Sequence, residues 1–119
     1  GLRYHGMSPQ VSALAHGGYI EAQAIDQVDS FEAGVQFAAC EGILPAPESN
    51  HAVRAAINEA VACRETGTQK TILFNLSGHG NFDMQAYHQF VNGELPRYEY
   101  PQEEIAEAMK HLPEVDFVA

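Results

Sequence analysis

Three polar clusters in the sequence contain residue types that could take part in chemistry: Arg3-Tyr4-His5, Glu48-Ser49-Asn50-His51 and Ser77-Gly78-His79-Gly80. The third follows residues 71–76, an apolar run without regular polar alternation, which is typical of a strand buried on both faces of a parallel sheet. Loops at the ends of such strands bind ligands through backbone N–H groups and small hydroxyls. Ser77 is therefore the first candidate for ligand contact.

The second cluster is predicted to lie beside the third, because consecutive parallel strands place their C-terminal loops side by side. A helix beginning there would offer free N–H groups to an anionic or electron-rich ligand. A structural interpretation also stays open. Glu48 and Ser49 suit the first turn of any helix, with Ser49 as its cap, and glycines after a strand commonly form a plain turn.

Two other kinds of site have little support in the sequence. The nucleophile elbow of a serine hydrolase requires G-x-S-x-G, and Asn75 stands where its first glycine would be. No pair of histidines has H-x-x-x-H or HExxH spacing, so a metal site would have to assemble from distant loops. A serine or metal hydrolase is therefore the least favoured function.

The composition indicates one globular domain without affinity for nucleic acid. The 119 residues are 45% hydrophobic and 18% charged, and the formal net charge of −10 repels phosphate backbones. No apolar run approaches the ~20 residues that span a bilayer, and no signal peptide is recognisable. We expect a cytoplasmic protein without a membrane partner, in which Cys40 and Cys63 are buried free thiols.

Alternating strands and helices predict an α/β fold, a partial three-layer αβα arrangement with a short parallel sheet and flanking helices. The strands are expected near residues 19–25, 44–47 and 71–76. The clearest helix is expected to run from Ser49 to a stop at Gly67, with an apolar stripe on one side. Three strands leave two exposed sheet edges, so we expect further chain or self-association to complete the sheet.

Three longer motifs, read together, resemble the C-terminal part of tryptophan synthase β chains. They are GLRYHGMSP at residues 1–9, EGILPAPESNHA at residues 41–52 and NLSGHG at residues 75–80. Their order and spacing match through about residue 95, and the forms LRYHGM and APES are similar to the second, stand-alone class of β chain. The resemblance implies a fold-type II pyridoxal phosphate enzyme that replaces the hydroxyl of serine with indole.

The resemblance assigns one wall of a cofactor pocket to this sequence. It implies that Ser77 hydrogen-bonds the pyridine nitrogen of pyridoxal phosphate, that Glu48 lies close to the same edge of the ring, and that Gly78 lets the backbone approach the ring face. A neutral hydroxyl at the pyridine nitrogen would moderate the electron withdrawal of the ring. No catalytic residue is assigned to this part of the enzyme.

The first motif implies contacts with the substrate and with a cation. Arg3 stands where the main class of β chains has an acid that contacts the substrate hydroxyl, which matches the second class. The backbone carbonyls of Leu2, Tyr4 and Gly6 match positions that help to hold a monovalent cation in relatives. Arg3 is therefore predicted to lie near the substrate, and the three carbonyls near a cation.

The Schiff-base lysine and the glycine-rich phosphate cup of this family fall upstream of Gly1. Lys70 and Lys110 are not plausible substitutes, so we expect the chain to be inactive alone and to need upstream enzyme sequence or a second copy of itself. Residues 1–95 are interpreted as the C-terminal α/β portion of the enzyme, and residues 96–119 as a linker and an amphipathic helix. The alternative function is a non-catalytic domain that binds a small ligand or self-associates.

Overall fold

A computed structural model describes residues 8–97 and 101–111 of the chain. Five α-helices account for most of the regular structure there, and a short 3-10 turn, Gly80–Phe82, precedes the fourth. The helices are α1 Pro9–His16, α2 Gln27–Glu41, α3 Pro47–Thr66, α4 Met84–Val91 and α5 Gln102–Met109. None of the described helices is both long and apolar enough to cross a membrane.

Helices α2 and α3 pack against each other and form the centre of the molecule. The approach is close because Gly34 of α2 lies against Asn50 of α3, and a Cβ atom at position 34 would come within 2.2 Å of the Asn50 side chain. Phe31 adds the apolar contact, with its ring edge-on to that of Tyr87 in α4 at a centroid distance of 4.9 Å. The buried core is thus small and lies around the first turns of α2 and α3.

The predicted parallel sheet is absent from the described residues, so the α/β and three-layer prediction is wrong. Residues 71–76 lie outside any helix and form no ladder with residues 19–25 or 44–47. Leu73 is 94% exposed instead of buried. An apolar run becomes a strand only where neighbouring strands accept and donate its backbone hydrogen bonds, and the described residues supply none.

The segment after α4 returns to the beginning of α2. The Arg97 guanidinium lies 2.7 Å from the Asp29 carboxylate and 3.4 Å from that of Asp26, and the Gln27 amide donates to the Pro96 carbonyl at 2.7 Å. The hydrogen bond from Arg97 to the Asp29 carboxylate holds the pKa of Asp29 below its usual range. Because the Arg97 side chain is exposed and the two carboxylates are only half-buried, the ion pairs contribute less to stability than the core does.

Several surface residues differ from expectation. Cys40 is exposed and Cys63 half-buried, so the prediction that both thiols are buried is wrong. The last amphipathic helix is present as α5, yet Ile105 and Met109 on its apolar side are exposed. Among the described residues, no other element packs against that side closely enough to bury it.

Candidate functional site

The first turn of α3 and the loop of residues 77–80 meet through a pair of hydrogen bonds made by one hydroxyl. The Ser77 N–H donates to Ser49 Oγ at 3.1 Å, and the Ser49 hydroxyl donates to the Ser77 carbonyl. The predicted proximity of the second and third polar clusters is therefore confirmed. It arises from this contact and not from the edge of a parallel sheet.

The same loop lies directly on residues 44–46, which lead into α3. The Gly80 N–H donates to the Leu44 carbonyl at 3.0 Å. Gly78 has a φ of +73°, in the left-handed region, and a Cβ atom there would stand 2.9 Å from that of Ala46. A Cβ atom at Gly80 would stand 2.5 Å from the Pro45 carbonyl oxygen. Both glycines are thus required by the packing of the loop.

A buried polar network lies beneath this junction. The Tyr87 hydroxyl donates to the Pro45 carbonyl at 2.6 Å and accepts a hydrogen bond from Asn50 Nδ2 at 3.0 Å. Asn50 is fully buried and Tyr87 is 4% exposed. Burial raises the pKa of Tyr87, and this outweighs the opposite effect of the hydrogen bond from Asn50. The network joins α4 to the start of α3 and to the segment that precedes it.

The residues assigned to the cofactor by the resemblance lie at this junction with their polar groups available. Ser77 and Glu48 are exposed, and neither the hydroxyl nor the carboxylate hydrogen-bonds to another described side chain or backbone group. Gly78 is exposed as well and follows Ser77 in the loop. The predicted substrate and cation residues, which are Arg3, Leu2, Tyr4 and Gly6, lie outside the described residues.

His79 does not form a catalytic pair with Ser77. Its Nδ1 accepts a hydrogen bond from the Asn81 N–H at 3.1 Å, which leaves the proton of the neutral ring on Nε2. No group of three or more His, Cys, Asp and Glu side chains within the described ranges could hold a metal ion. Neither arrangement supports a hydrolase.

A groove of about 530 Å³ runs along α3 beside the junction. The groove is lined by residues of the two non-helical segments 21–25 and 72–75, and by His51, Glu59 and three alanines of α3. Burial lowers the pKa of His51, an effect that the nearby Glu48 carboxylate partly opposes. The groove thus favours a neutral imidazole at its α3 wall.

This pKa shift predicts a loss of stability in mildly acidic solution. A histidine whose pKa is lower in the folded chain stabilises it above the unfolded value of about 6.5, and this contribution is lost as the pH falls below that value. We expect the melting temperature to decrease between pH 7 and pH 5, and His51→Gln to flatten that decrease. His88→Gln is the matched control, because the His88 side chain is exposed. If His88→Gln flattened the decrease as much as His51→Gln does, the assignment to His51 would be contradicted.

Sequence reasoning missed the importance of Asn50 and Tyr87 and misassigned Ser49. Helix α3 begins at Pro47 and Ala46 is its N-cap, so Ser49 lies inside the first turn and is not the cap. Proline is favoured at the first helical position, and this signal at Pro47 indicates an N-cap three residues before Ser49. No comparable signal in the sequence pairs Asn50 with Tyr87.

Relatives of the chain are found among proteins named tryptophan synthase beta chain 2. The chain is 60% identical over 95 residues to those of Methanosarcina acetivorans and Aquifex aeolicus, which covers 80% of the chain and 22% of each relative. The protein of that name from Aeropyrum pernix is 52% identical over 103 residues, 87% of the chain and 23% of the relative. No protein-family model matches the chain.

The chain therefore spans about a fifth of the length of the curated relatives it matches. High identity over most of the chain agrees with the three motifs at residues 1–9, 41–52 and 75–80. The structure adds that the second and third motifs contact each other through Ser49 and Ser77. The chain is a homologue of the C-terminal part of tryptophan synthase β chains.

Proposed function

We propose that this chain supplies the pyridine-nitrogen side of a pyridoxal phosphate pocket in a tryptophan synthase β-like enzyme. In that enzyme, indole replaces the hydroxyl of serine. The observation that carries the proposal is the contact of Ser49 with the backbone of Ser77, because it holds Ser77 beside the helical turn that contains Glu48. The two residues that the resemblance assigns to one edge of the cofactor thereby belong to segments that are hydrogen-bonded to each other.

The chemistry of the residues present is compatible with that cofactor. When bound, pyridoxal phosphate supplies an electron sink for negative charge that develops at the substrate. The Ser77 hydroxyl can donate a hydrogen bond to an unprotonated ring nitrogen, and its exposure leaves it available for this role. The exposed Glu48 carboxylate can orient polar groups at the same edge. The monovalent cation near Leu2, Tyr4 and Gly6 remains part of the proposal.

We further propose that the chain is not competent by itself. A lysine that attacks an aldehyde must lose its proton, and burial in an apolar site promotes that loss. Lys70 instead lies 2.6 Å from Glu59, is exposed, and has a raised pKa because of that contact. Lys110 lies 2.6 Å from Glu107 on the exposed surface of α5. Neither amine is placed to anchor the cofactor.

A chimera tests the proposed function. The matched 95 residues of this chain would replace the corresponding segment of the Aquifex aeolicus relative, and pyridoxal phosphate content and tryptophan formation from serine and indole would be measured. We expect both to be retained. Ser77→Ala should weaken cofactor binding or alter its visible absorption, whereas Ser12→Ala, a change on exposed α1, should do neither. A folded chimera without bound cofactor would contradict the proposal.

The isolated chain provides the complementary prediction. We expect pyridoxal phosphate followed by borohydride reduction to give no stoichiometric adduct on Lys70 or Lys110, because each amine is exposed to solvent and paired with a glutamate carboxylate at 2.6 Å. Intact-mass measurement and peptide mapping check this. A single complete adduct at either lysine, abolished when that lysine is replaced by arginine, would show that the chain contains its own anchor.

A second candidate function is self-association or interaction through the non-helical segments 19–25 and 71–76. Tyr19 and Leu73 are 81% and 94% exposed, and the described backbone of residues 71–76 pairs with no other strand. Unpaired extended backbone with apolar side chains favours pairing with another chain. Sedimentation analysis distinguishes the candidates: a concentration-dependent dimer lost in Leu73→Lys favours self-association, and a monomer at all concentrations excludes it.

A further inference from the structure

We infer that Ser49 is a positioning residue, whose hydroxyl fixes the backbone of Ser77 and so the place of the Ser77 side chain relative to Glu48. The inference deepens the proposed function and rests on it for the role of Ser77 at a pyridine nitrogen. The hydrogen bonds themselves join residues of this chain and can be tested without any cofactor.

The buried hydroxyl of Ser49 acts both as an acceptor and as a donor toward the same residue. Ser49 is 4% exposed, and its Oγ accepts from the Ser77 N–H at 3.1 Å while its proton is donated to the Ser77 carbonyl. The N–H and the carbonyl of a residue belong to different peptide planes, each of which is rigid. Holding both planes fixes the direction of the Cα–Cβ bond of Ser77, so χ1 is the main freedom left to its side chain.

The first turn of α3, which contains Ser49, is held in place by its own residues. Pro47 fixes the backbone at the first position of α3, and Asn50, the residue after Ser49, is fully buried and bound to Tyr87. Glu48 lies between them on the same turn. The Ser49 hydroxyl therefore sets the separation between the two residues that the proposed function places at one edge of the ring.

A purely structural role for Ser49 predicts a different outcome. The loop has two further attachments, the hydrogen bond from the Gly80 N–H to Leu44 and the contact of Gly78 with Ala46. Loss of the Ser49 hydroxyl should leave these attachments in place and release only the backbone around Ser77. A residue that merely held the loop would affect all of them together.

Hydrogen exchange and side-chain couplings in the full chain test the inference. In Ser49→Ala we expect the protection of the Ser77 amide to fall about tenfold and the Ser77 Hα–Hβ couplings to become rotationally averaged. The Gly80 amide should keep its protection, and Ser49→Thr, which retains a hydroxyl, should preserve both Ser77 signals. Ser30→Ala is the matched control, because Ser30 is 1% exposed and its hydroxyl bonds Gln27 within α2 at 2.8 Å.

Each result decides the question. A Ser77 amide that exchanges at the rate of an unstructured peptide in the wild-type chain overturns the inference, as does unchanged protection in a folded Ser49→Ala. If Ser49→Ala does not fold, the exchange rate of the Ser77 amide is compared between the wild-type chain and Ser49→Thr. A folded Ser49→Thr in which the Ser77 amide is unprotected would contradict the inference. A chimera that binds no cofactor rejects the proposed function but leaves the exchange result at Ser77 unchanged, so the two failures are distinguishable.

Discussion

Gly80→Ala is expected to destabilise the chain by about 3 kcal/mol, near the upper end of what overpacking costs. The added Cβ atom would lie 2.5 Å from the Pro45 carbonyl oxygen and 2.8 Å from Leu44 Cγ. The Pro45 oxygen cannot move freely, because it accepts the hydrogen bond from the Tyr87 hydroxyl. The loop would have to leave residues 44–46, which also breaks the bond from the Gly80 N–H to Leu44. Urea unfolding followed by circular dichroism measures the loss.

Gly93→Ala is the matched control for this experiment. Gly93 has a φ of +72°, and a Cβ atom there meets nothing within 4 Å. Alanine at that position therefore costs only the left-handed conformation, about 1 kcal/mol. Equal losses of unfolding free energy in the two variants would contradict the close approach of Gly80 to Pro45. A smaller loss in Gly80→Ala would do so more strongly.

The C-terminal ends of α2 and α3 could be predicted from the sequence because the glycine signals there are local. Gly42 and Gly67 end α2 and α3 with φ values of 70° and 65°, as expected of glycines at helix C-termini. The predicted beginning of α3 lies at Ser49 because serine is a good cap, whereas the helix begins at Pro47. A hydroxyl that could cap its own helix can equally bond a distant backbone, and the local pattern does not distinguish the two partners.

The sheet could not be predicted correctly because a strand is defined by its neighbours. Residues 71–76 have the composition of a buried strand, and Phe74 does pack edge-on against Phe37 of α2 at a centroid distance of 6.0 Å. Leu73, however, is exposed, and the backbone lacks partners among the described residues. The apolar run indicates a segment that could be buried as a strand. A strand also needs neighbouring strands to pair with its backbone, and the described residues supply none.

The candidate site was predictable in its members but not in its connections. Ser77 and Glu48 follow from the resemblance, and the structure brings their segments together. The contact that joins them spans 28 residues of sequence, and the contact between Asn50 and Tyr87 spans 37. Neither has a periodic or motif signal. Long-range hydrogen bonds between single polar residues depend on how the helices pack, which the spacing of apolar residues determines only approximately.

Tyr87→Phe is expected to lower the unfolding free energy by about 2 kcal/mol, although it removes a single oxygen atom. The loss leaves the Pro45 carbonyl without its donor and the fully buried Asn50 amide without the hydroxyl that accepts from Nδ2. Unsatisfied buried polar groups cost more than the net value of the bond they once made. Urea unfolding at pH 7 measures the change, with Tyr19→Phe as the control because Tyr19 is 81% exposed.

The same residue predicts a loss of stability in alkaline solution. Burial raises the pKa of Tyr87 in the folded chain, so its contribution to stability is complete below the unfolded value of about 10 and disappears as the pH rises through the folded value. Unfolding free energy should therefore fall above about pH 10 in the wild-type chain and in Tyr19→Phe, and fall less steeply in Tyr87→Phe. Parallel pH profiles in all three proteins would mean that the Tyr87 hydroxyl titrates as freely when folded as when unfolded, which its position between Pro45 and Asn50 does not allow.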